Sequence, residues 1–227
     1  MTTGNKTGAA AFRRRKPGLI SELSWREYGV LVPWVNTKDG PMLLFEVRAQ
    51  NLRHQPGEIS FPGGAVEEGE SAEAAARRET TEELLVSDRD IEIFGPNDIF
   101  IAPGGRRLDS FIGRVNEYEG TFSTDEVDHV FLAPMAELQT LEPEVYTNRM
   151  HMEPDPAFPL EEIGKNGSYQ WLSGSYKILI YRWRDYRIWG MTARLLQSAL
   201  ELIAQYDLER VLADPDVKPV SPEPTGE

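Results

Sequence analysis

Glu79, Glu82 and Glu83 stand at positions i, i+3 and i+4 of a segment rich in strong helix formers, and they constrain the chain more than any other feature. At 3.6 residues per turn their side chains share one arc of about 100°. Like charges at this spacing repel and weaken an isolated helix by a few tenths of a kcal/mol per pair, about 0.2–0.5. A fold that keeps them needs a cation close by. The helix has a clear start: Ser71 is a good N-cap, Glu73 sits in the first turn, and Ala72, Ala74, Ala75, Ala76 and Arg77 propagate it, so a helix is predicted from about Ser71 to about Leu85. Upstream, the apolar run Ile59-Ser60-Phe61 meets Pro62, Gly63 and Gly64. Proline has no donor for a sheet ladder and glycine tolerates positive φ, so a strand is predicted to end there.

Carboxylates gathered on one flank suit a hard divalent cation. Mg²⁺ or Mn²⁺ takes oxygen ligands, keeps several waters and bridges carboxylates to substrate phosphates. Ala72, Ala75 and Ala76 fall on the same arc, which leaves room for a diphosphate. A Glu-rich helix is ordinarily a solvated face, and the wider spacing separates this one from that class. From Gly64 the sequence reads G-x5-E-x7-R-E-x-x-E-E through Glu70, Arg78, Glu79, Glu82 and Glu83. Six fixed positions recur by chance in a chain of this length on the order of once in ten thousand or less.

That pattern, over residues 64–86, resembles the signature of the Nudix hydrolases. Thr80 stands where an aliphatic residue is usual, and Leu85 where a glycine usually ends the helix, which removes the expected left-handed C-cap residue. Glu79 and Glu83 are expected to hold the metal, with Glu82 sharing ligation and the Gly63 backbone adding a carbonyl. The same three glutamates carry the catalytic assignment. Glu70 and Arg78 form the expected supporting pair beside Gly64. The general base stays open between Glu82 and an acid from another loop.

A second motif lies directly upstream. Leu44-Phe45-x-x-Arg48-Ala49, then Arg53, then Gly57-x-Ile59-x-Phe61-Pro62-Gly63-Gly64 closely resembles the extra signature of the coenzyme A diphosphatase branch, and Ile188-Trp189-Gly190-Met191-Thr192-Ala193 resembles that branch as well. Glu46 departs from it, standing where a threonine is usual. Coenzyme A carries a diphosphate and a ribose 3′-phosphate, and arginine recognises phosphate in planar bidentate fashion. Arg48, Arg53, Arg106 and Arg107 are therefore the expected substrate-binding residues; Trp171, Tyr176 and Trp189 are candidates to stack on adenine. The expected reaction is metal-dependent hydrolysis of the diphosphate of coenzyme A or its thioesters. The alternatives are another nucleoside diphosphate derivative (ADP-ribose, NADH or a dinucleotide), a spent nucleotide-binding module, and an RNA-end hydrolase.

Composition narrows the field. With 227 residues, 40% of them hydrophobic, the chain can bury one good core. There is no cysteine, so thiolate metal sites and thiol nucleophiles are excluded, and His54, His129 and His151 are too scattered to suggest a histidine site. The formal charge of −13 disfavours a nucleic-acid partner, which needs a basic surface. No apolar run approaches the ~20 residues of a membrane span. A soluble cytoplasmic protein is the expectation.

In chain order, residues 1–17 read as a mobile arm and 18–212 as a single domain, with a disordered tail over 213–227. Strands are predicted over Trp25–Val35, Met42–Ala49, Glu58–Phe61, Ile91–Phe94, Asp98–Ala102, Leu108–Val115, Val127–Leu132 and Lys177–Trp183; helices follow near Met135–Thr140 and Thr192–Gln205. The first two strands make a hairpin closed by Asp39-Gly40. Glu142–Gly167 is acidic, proline-rich and predicted irregular, an excursion that covers substrate or pairs subunits into a homodimer. The fold class is α+β, and the resemblance implies an α/β/α sandwich with a mixed β-sheet.

Overall fold

The computed structural model describes residues 26–162, 169–171, 173–214 and 216–217. The predicted arm over 1–17 lies outside them. Eleven strands and four helices follow in order: β1 (Arg26–Thr37), β2 (Gly40–Arg48), β3 (Ile59–Ser60), β4 (Gly63–Ala65), α1 (Ala72–Leu84), β5 (Ile91–Pro96), β6 (Phe100–Ala102), β7 (Arg106–Val115), β8 (Val127–Pro134), α2 (Met135–Leu138), β9 (Glu144–His151), β10 (Ser173–Trp183), β11 (Tyr186–Trp189), α3 (Gly190–Gln205) and α4 (Leu208–Ala213). Among the described residues no helix is long and apolar enough to cross a membrane.

The main sheet is eight-stranded and mixed, with the order β3-β2-β1-β7-β5 and β4, β6 and β8 paired to β1, β7 and β2. Strands β1 and β7 run parallel, from Arg26 beside Arg106 to Trp34 beside Arg114, and the other pairings are antiparallel. The β1–β2 hairpin is paired only near its turn, from Trp34↔Leu43 to Thr37↔Gly40. Beyond it the two strands splay. β4 takes the place beside the first half of β1, at Tyr28, Gly29 and Val30, while β3 joins the last part of β2. The Pro62 carbonyl accepts from the Leu31 N–H at 2.9 Å and closes the gap. The glycines that were predicted to end a strand thus start another.

Helix α1 covers one face of this sheet, where Leu84 packs with Leu31, Val35, Leu44, Ile91 and Val115. On the other face Trp34, Phe45, Phe61 and Phe131 meet α3 through Leu195, Leu196 and Ala199, together with Leu179, Trp183 and Ile188 of a second sheet ordered β11-β10-β9. The architecture is α+β, a mixed sheet between helical layers.

Helix α1 sits very close to the sheet. A Cβ placed on Gly29 of β1 would lie 1.9 Å from the Ala72 carbonyl oxygen and 2.7 Å from the Ala76 nitrogen. Ala75 and Ala76 are fully buried. The alanines serve this contact, so the room they were expected to leave for a diphosphate is filled by β1. Thr80 is also fully buried, with its hydroxyl donating to the Ala76 carbonyl at 2.6 Å. Ser71 caps the helix as predicted by accepting from the Ala74 N–H at 3.1 Å. At the other end Leu85 adopts the left-handed conformation itself, with φ 54° and ψ 41°. The Thr121 hydroxyl donates to the Leu84 carbonyl at 2.6 Å, so the helix closes without the glycine.

Two further predictions are corrected. The stretch 142–167, expected to be irregular, contains β9, whose outward-facing residues pair with β10 from Glu144↔Ile180 to His151↔Ser173. The tail expected to be disordered from 213 begins anchored, because Arg114, only 1% exposed, donates to the carbonyls of Leu212, Asp214 and Val217 and to Glu92. Residues 218–227 of that tail lie outside the described residues.

Because backbone, not a flexible side chain, fills the space above Gly29, Gly29→Ala is expected to lower the unfolding free energy by about 3 kcal/mol or more, read by urea denaturation.

Candidate active site

The splay between β1 and β2 opens into a cavity of about 430 Å³. Helix α1 brings Glu79 and Glu83 to it; the glycine turn supplies Gly63 and Gly64, β2 supplies Arg48, β7 supplies Arg106 and the loop before β8 supplies Glu126. Tyr28, Ile59 and Phe61 form its apolar side, and Met191, Thr192 and Leu195 of α3 complete it. The Thr192 hydroxyl donates to the Ile59 carbonyl at 2.9 Å, which ties the start of α3 to β3. Both stretches that resemble the coenzyme A branch therefore contribute to one hollow.

The α1 carboxylates are held individually. Glu83 is 3% exposed, and one of its oxygens accepts from the Gly63 N–H at 2.8 Å. Arg78 binds Glu70 through two nitrogens at 3.1 and 3.2 Å, Glu79 at 2.8 Å, Glu82 at 3.4 Å and the Ala65 carbonyl at 3.2 Å. The Glu70–Arg78 pair thus brings the acidic loop to the helix, and the guanidinium spans the glutamates on the exposed side. Gly64 is required by the same packing, since a Cβ there would meet the Glu79 carboxylate at 2.2 Å.

Other expected residues are placed elsewhere. Glu82 has its side chain 58% exposed and does not line the cavity. Arg107, next to Arg106, turns to the opposite side of β7 and pairs with Asp109 at 2.8 Å and Glu27 at 3.3 Å. Arg53 is exposed and outside the lining. Trp171 packs edge-on against Phe158 and Tyr169, Tyr176 lies near Asn148, and Trp189 is 42% exposed, so the aromatics that reach the cavity are Tyr28 and Phe61 instead.

Glu126 is the residue that the sequence did not single out. It lies in a loop whose Ser123 N–H donates to the Glu83 carbonyl at 2.8 Å, and its own carbonyl accepts from Ala49 at 2.9 Å. These bonds carry the acid from a remote part of the chain to the end of α1. Its presence is felt: burial, then Glu79 and Glu126, push the Glu83 carboxyl up to about 8 against the opposing Gly63 N–H and Arg48. Glu79 is raised as well, first by burial and then by Glu82 and Glu126, while Arg78 opposes. Glu70 is lowered by its bonds to Arg78.

Among the described residues no three acidic or histidine side chains already surround one point at ligand spacing; Glu79 is engaged by Arg78 and Glu83 by the Gly63 N–H. The donor set still fits a hard divalent cation. It is all oxygen, it is partly desolvated, and its carboxyls are raised first by burial and then by the neighbouring acids.

Two outcomes follow from this balance. Without metal, the folded chain binds more protons than the unfolded chain between the ordinary carboxyl value of 4.5 and about 8, so the unfolding free energy falls as pH rises through that window. The loss is on the order of a few kcal/mol, and Glu83→Gln flattens it; urea denaturation in a chelator reads both. Gly64→Ala is expected to displace Glu79 and weaken Mn²⁺ binding at least about tenfold by isothermal titration, with little change in melting temperature.

The NUDIX domain family model matches residues 25–170. A protein of Salmonella paratyphi B described as the uncharacterized Nudix hydrolase NudL is 31% identical over 191 residues, covering 82% of this chain and 88% of its own, and the Salmonella newport counterpart matches equally. Among solved structures, a MutT/nudix family protein from Enterococcus faecalis aligns with a TM-score of 0.49 at 15% identity, over 88% of this chain and 70% of its own. A C. elegans Ap4A hydrolase complex aligns with a TM-score of 0.42 at 18% identity, over 48% of this chain and 80% of its own. The assignment rests on the family model and the Salmonella relatives. With its acidic helix, glycine turn and supporting arginine in place, the chain belongs to the Nudix hydrolases.

Proposed function

We propose that this Nudix hydrolase cleaves the diphosphate of coenzyme A or an acyl-coenzyme A, with Mg²⁺ or Mn²⁺ as cofactor. The observation that carries the reading is the shared cavity: Arg48 and the Ile59–Gly64 turn, the start of α3 at Met191 and Thr192, and the carboxylates Glu79 and Glu83 all line it. A substrate with a diphosphate beside a further phosphate needs fixed cations near a metal-holding wall, and Arg48 and Arg106 supply them in the same cavity. The volume of about 430 Å³ falls within the ordinary range for small-molecule sites.

Glu79 and Glu83 would hold the cation, with Glu82 turning inward to share it and the Gly63 backbone adjoining. When bound, the metal would lower the pKa of a water and offset the charge of the diphosphate. Arg78 keeps Glu79 oriented and braces Glu70, a role that depends on its bidentate geometry. Glu126 faces the same cavity from a separate loop and would accept the proton of the attacking water, which leaves Glu82 to the metal. Water adds across the P–O–P bridge, so coenzyme A yields adenosine 3′,5′-bisphosphate and 4′-phosphopantetheine.

Purified protein incubated with Mg²⁺ or Mn²⁺ and a panel of coenzyme A, acetyl-coenzyme A, ADP-ribose, NADH and a dinucleoside polyphosphate is expected to release those two products from coenzyme A, or the acylated counterpart from its thioester, identified by mass. Preferential cleavage of ADP-ribose, NADH or the dinucleotide would move the assignment to another Nudix substrate.

A further inference from the structure

Strand β2 alternates strictly: Phe45 and Val47 lie in the large core, whereas Leu44 packs beneath α1 with Leu84. Glu46 and Arg48 therefore face α1. On β3, Ile59 packs toward the large core, so Ser60 faces α1 too, and it is the direct cross-strand partner of Glu46. Glu46 is 1% exposed. Its Oε1, the Ser60 Oγ and the Arg48 Nε are all buried without a hydrogen-bond partner. Three such atoms on adjoining positions of two strands are unusual, because buried polar atoms are almost always bonded.

The charge surrounding this pocket is one-sided. Glu46 experiences the carboxylates of Glu83, Glu126 and Glu79, and Arg48 is the cation that opposes them. Tyr118 lies within the field of Glu46, with its hydroxyl committed to the Thr121 carbonyl. Among the described residues, the cation that acts on Glu46 most strongly is Arg48, and no Lys or His stands among its main electrostatic neighbours. A buried water could bond the orphaned atoms, but it would leave the repulsion between Glu46 and Glu83 in place. A divalent cation answers that repulsion and takes the two orphaned oxygens, a carboxylate and a hydroxyl being ligands of the kind it binds; the Arg48 Nε–H, a donor, is no part of that set.

We propose that Glu46 extends the metal-binding wall inward, acting with Glu83 and the Ser60 hydroxyl as a further oxygen ligand for a divalent cation. The inference rests on the metal-dependent reading above and adds to it a ligand from β2, outside the acidic helix.

Mn²⁺ titration of the full chain, followed by calorimetry and by the electron paramagnetic resonance of free Mn²⁺, tests it without reference to turnover. Glu46→Gln, nearly isosteric, and Glu46→Thr, the residue usual at this position, are each expected to remove one bound Mn²⁺ per chain or weaken one binding step at least tenfold. Their metal-free melting temperatures should equal or exceed the wild-type value, because a desolvated carboxyl crowded by Glu83 has been removed. Wild-type stoichiometry and affinity in either folded variant would overturn the assignment of Glu46 while leaving the metal-dependent hydrolase reading intact. A wild-type chain that binds no Mn²⁺ would overturn both.

Discussion

The contact of α1 with Gly29 sets the position of everything that follows it in the site. A helix usually stands off a sheet by the bulk of the side chains between them; here a glycine below and alanines above let the two backbones nearly touch. The helix is thereby fixed along β1, and β1 in turn carries β4, so Glu79 and Glu83 are set against Gly64 and Gly63 without intervening atoms. A shift of the helix by the thickness of one methyl group would part Glu83 from the Gly63 N–H. The small residues of this segment are therefore spent on placement, and the carboxylates inherit the precision.

That placement creates an electrostatic conflict which the protein resolves unevenly. On the solvent side Arg78 joins Glu70, Glu79 and Glu82; its bonds lower the Glu70 carboxyl and oppose the burial that raises Glu79. Toward the interior, Glu83 and Glu46 have few donors, and both are pushed upward, chiefly by desolvation. The fold tolerates a strained interior because its remaining contacts are strong: two apolar clusters on the faces of the sheet and the buried Arg114 hub hold the frame. Groups with this kind of perturbation concentrate where proteins bind ions and perform chemistry.

Much of this was legible in the sequence, for identifiable reasons. Helix α1, its Ser71 cap and the Glu70–Arg78 pair follow from spacing and local propensity, which operate within a few turns. Strand β9 escaped because its exposed, mixed polar face carries no alternation that hydropathy can detect. β4 escaped because Gly63 and Gly64 resemble a chain break, and only pairing with β1 makes them a strand. Arg106 and Arg107 could not be separated by type, yet strand geometry sends them to opposite sides, one to the cavity and one to Asp109 and Glu27. Glu126 carried no local signal whatever; its location depends on Ser123 bonding to the end of α1. The Leu85 departure did not prevent the cap, since leucine itself adopts the left-handed turn at a cost of about 1–2 kcal/mol.

The parallel pairing of β1 with β7 bears on how the chain acquires its shape. Arg26 lies beside Arg106, so the first described strand waits for a partner synthesised much later. At about 5–20 residues per second, a ribosome needs roughly 4–16 s to make the intervening segment. During that interval the β1–β2 hairpin has no β7 to pair with, and apolar Leu31, Val32 and Trp34 lack their final neighbour. Closure of so distant a pairing is entropically slow, and the nascent chain is most open to misassociation or chaperone capture before β7 arrives.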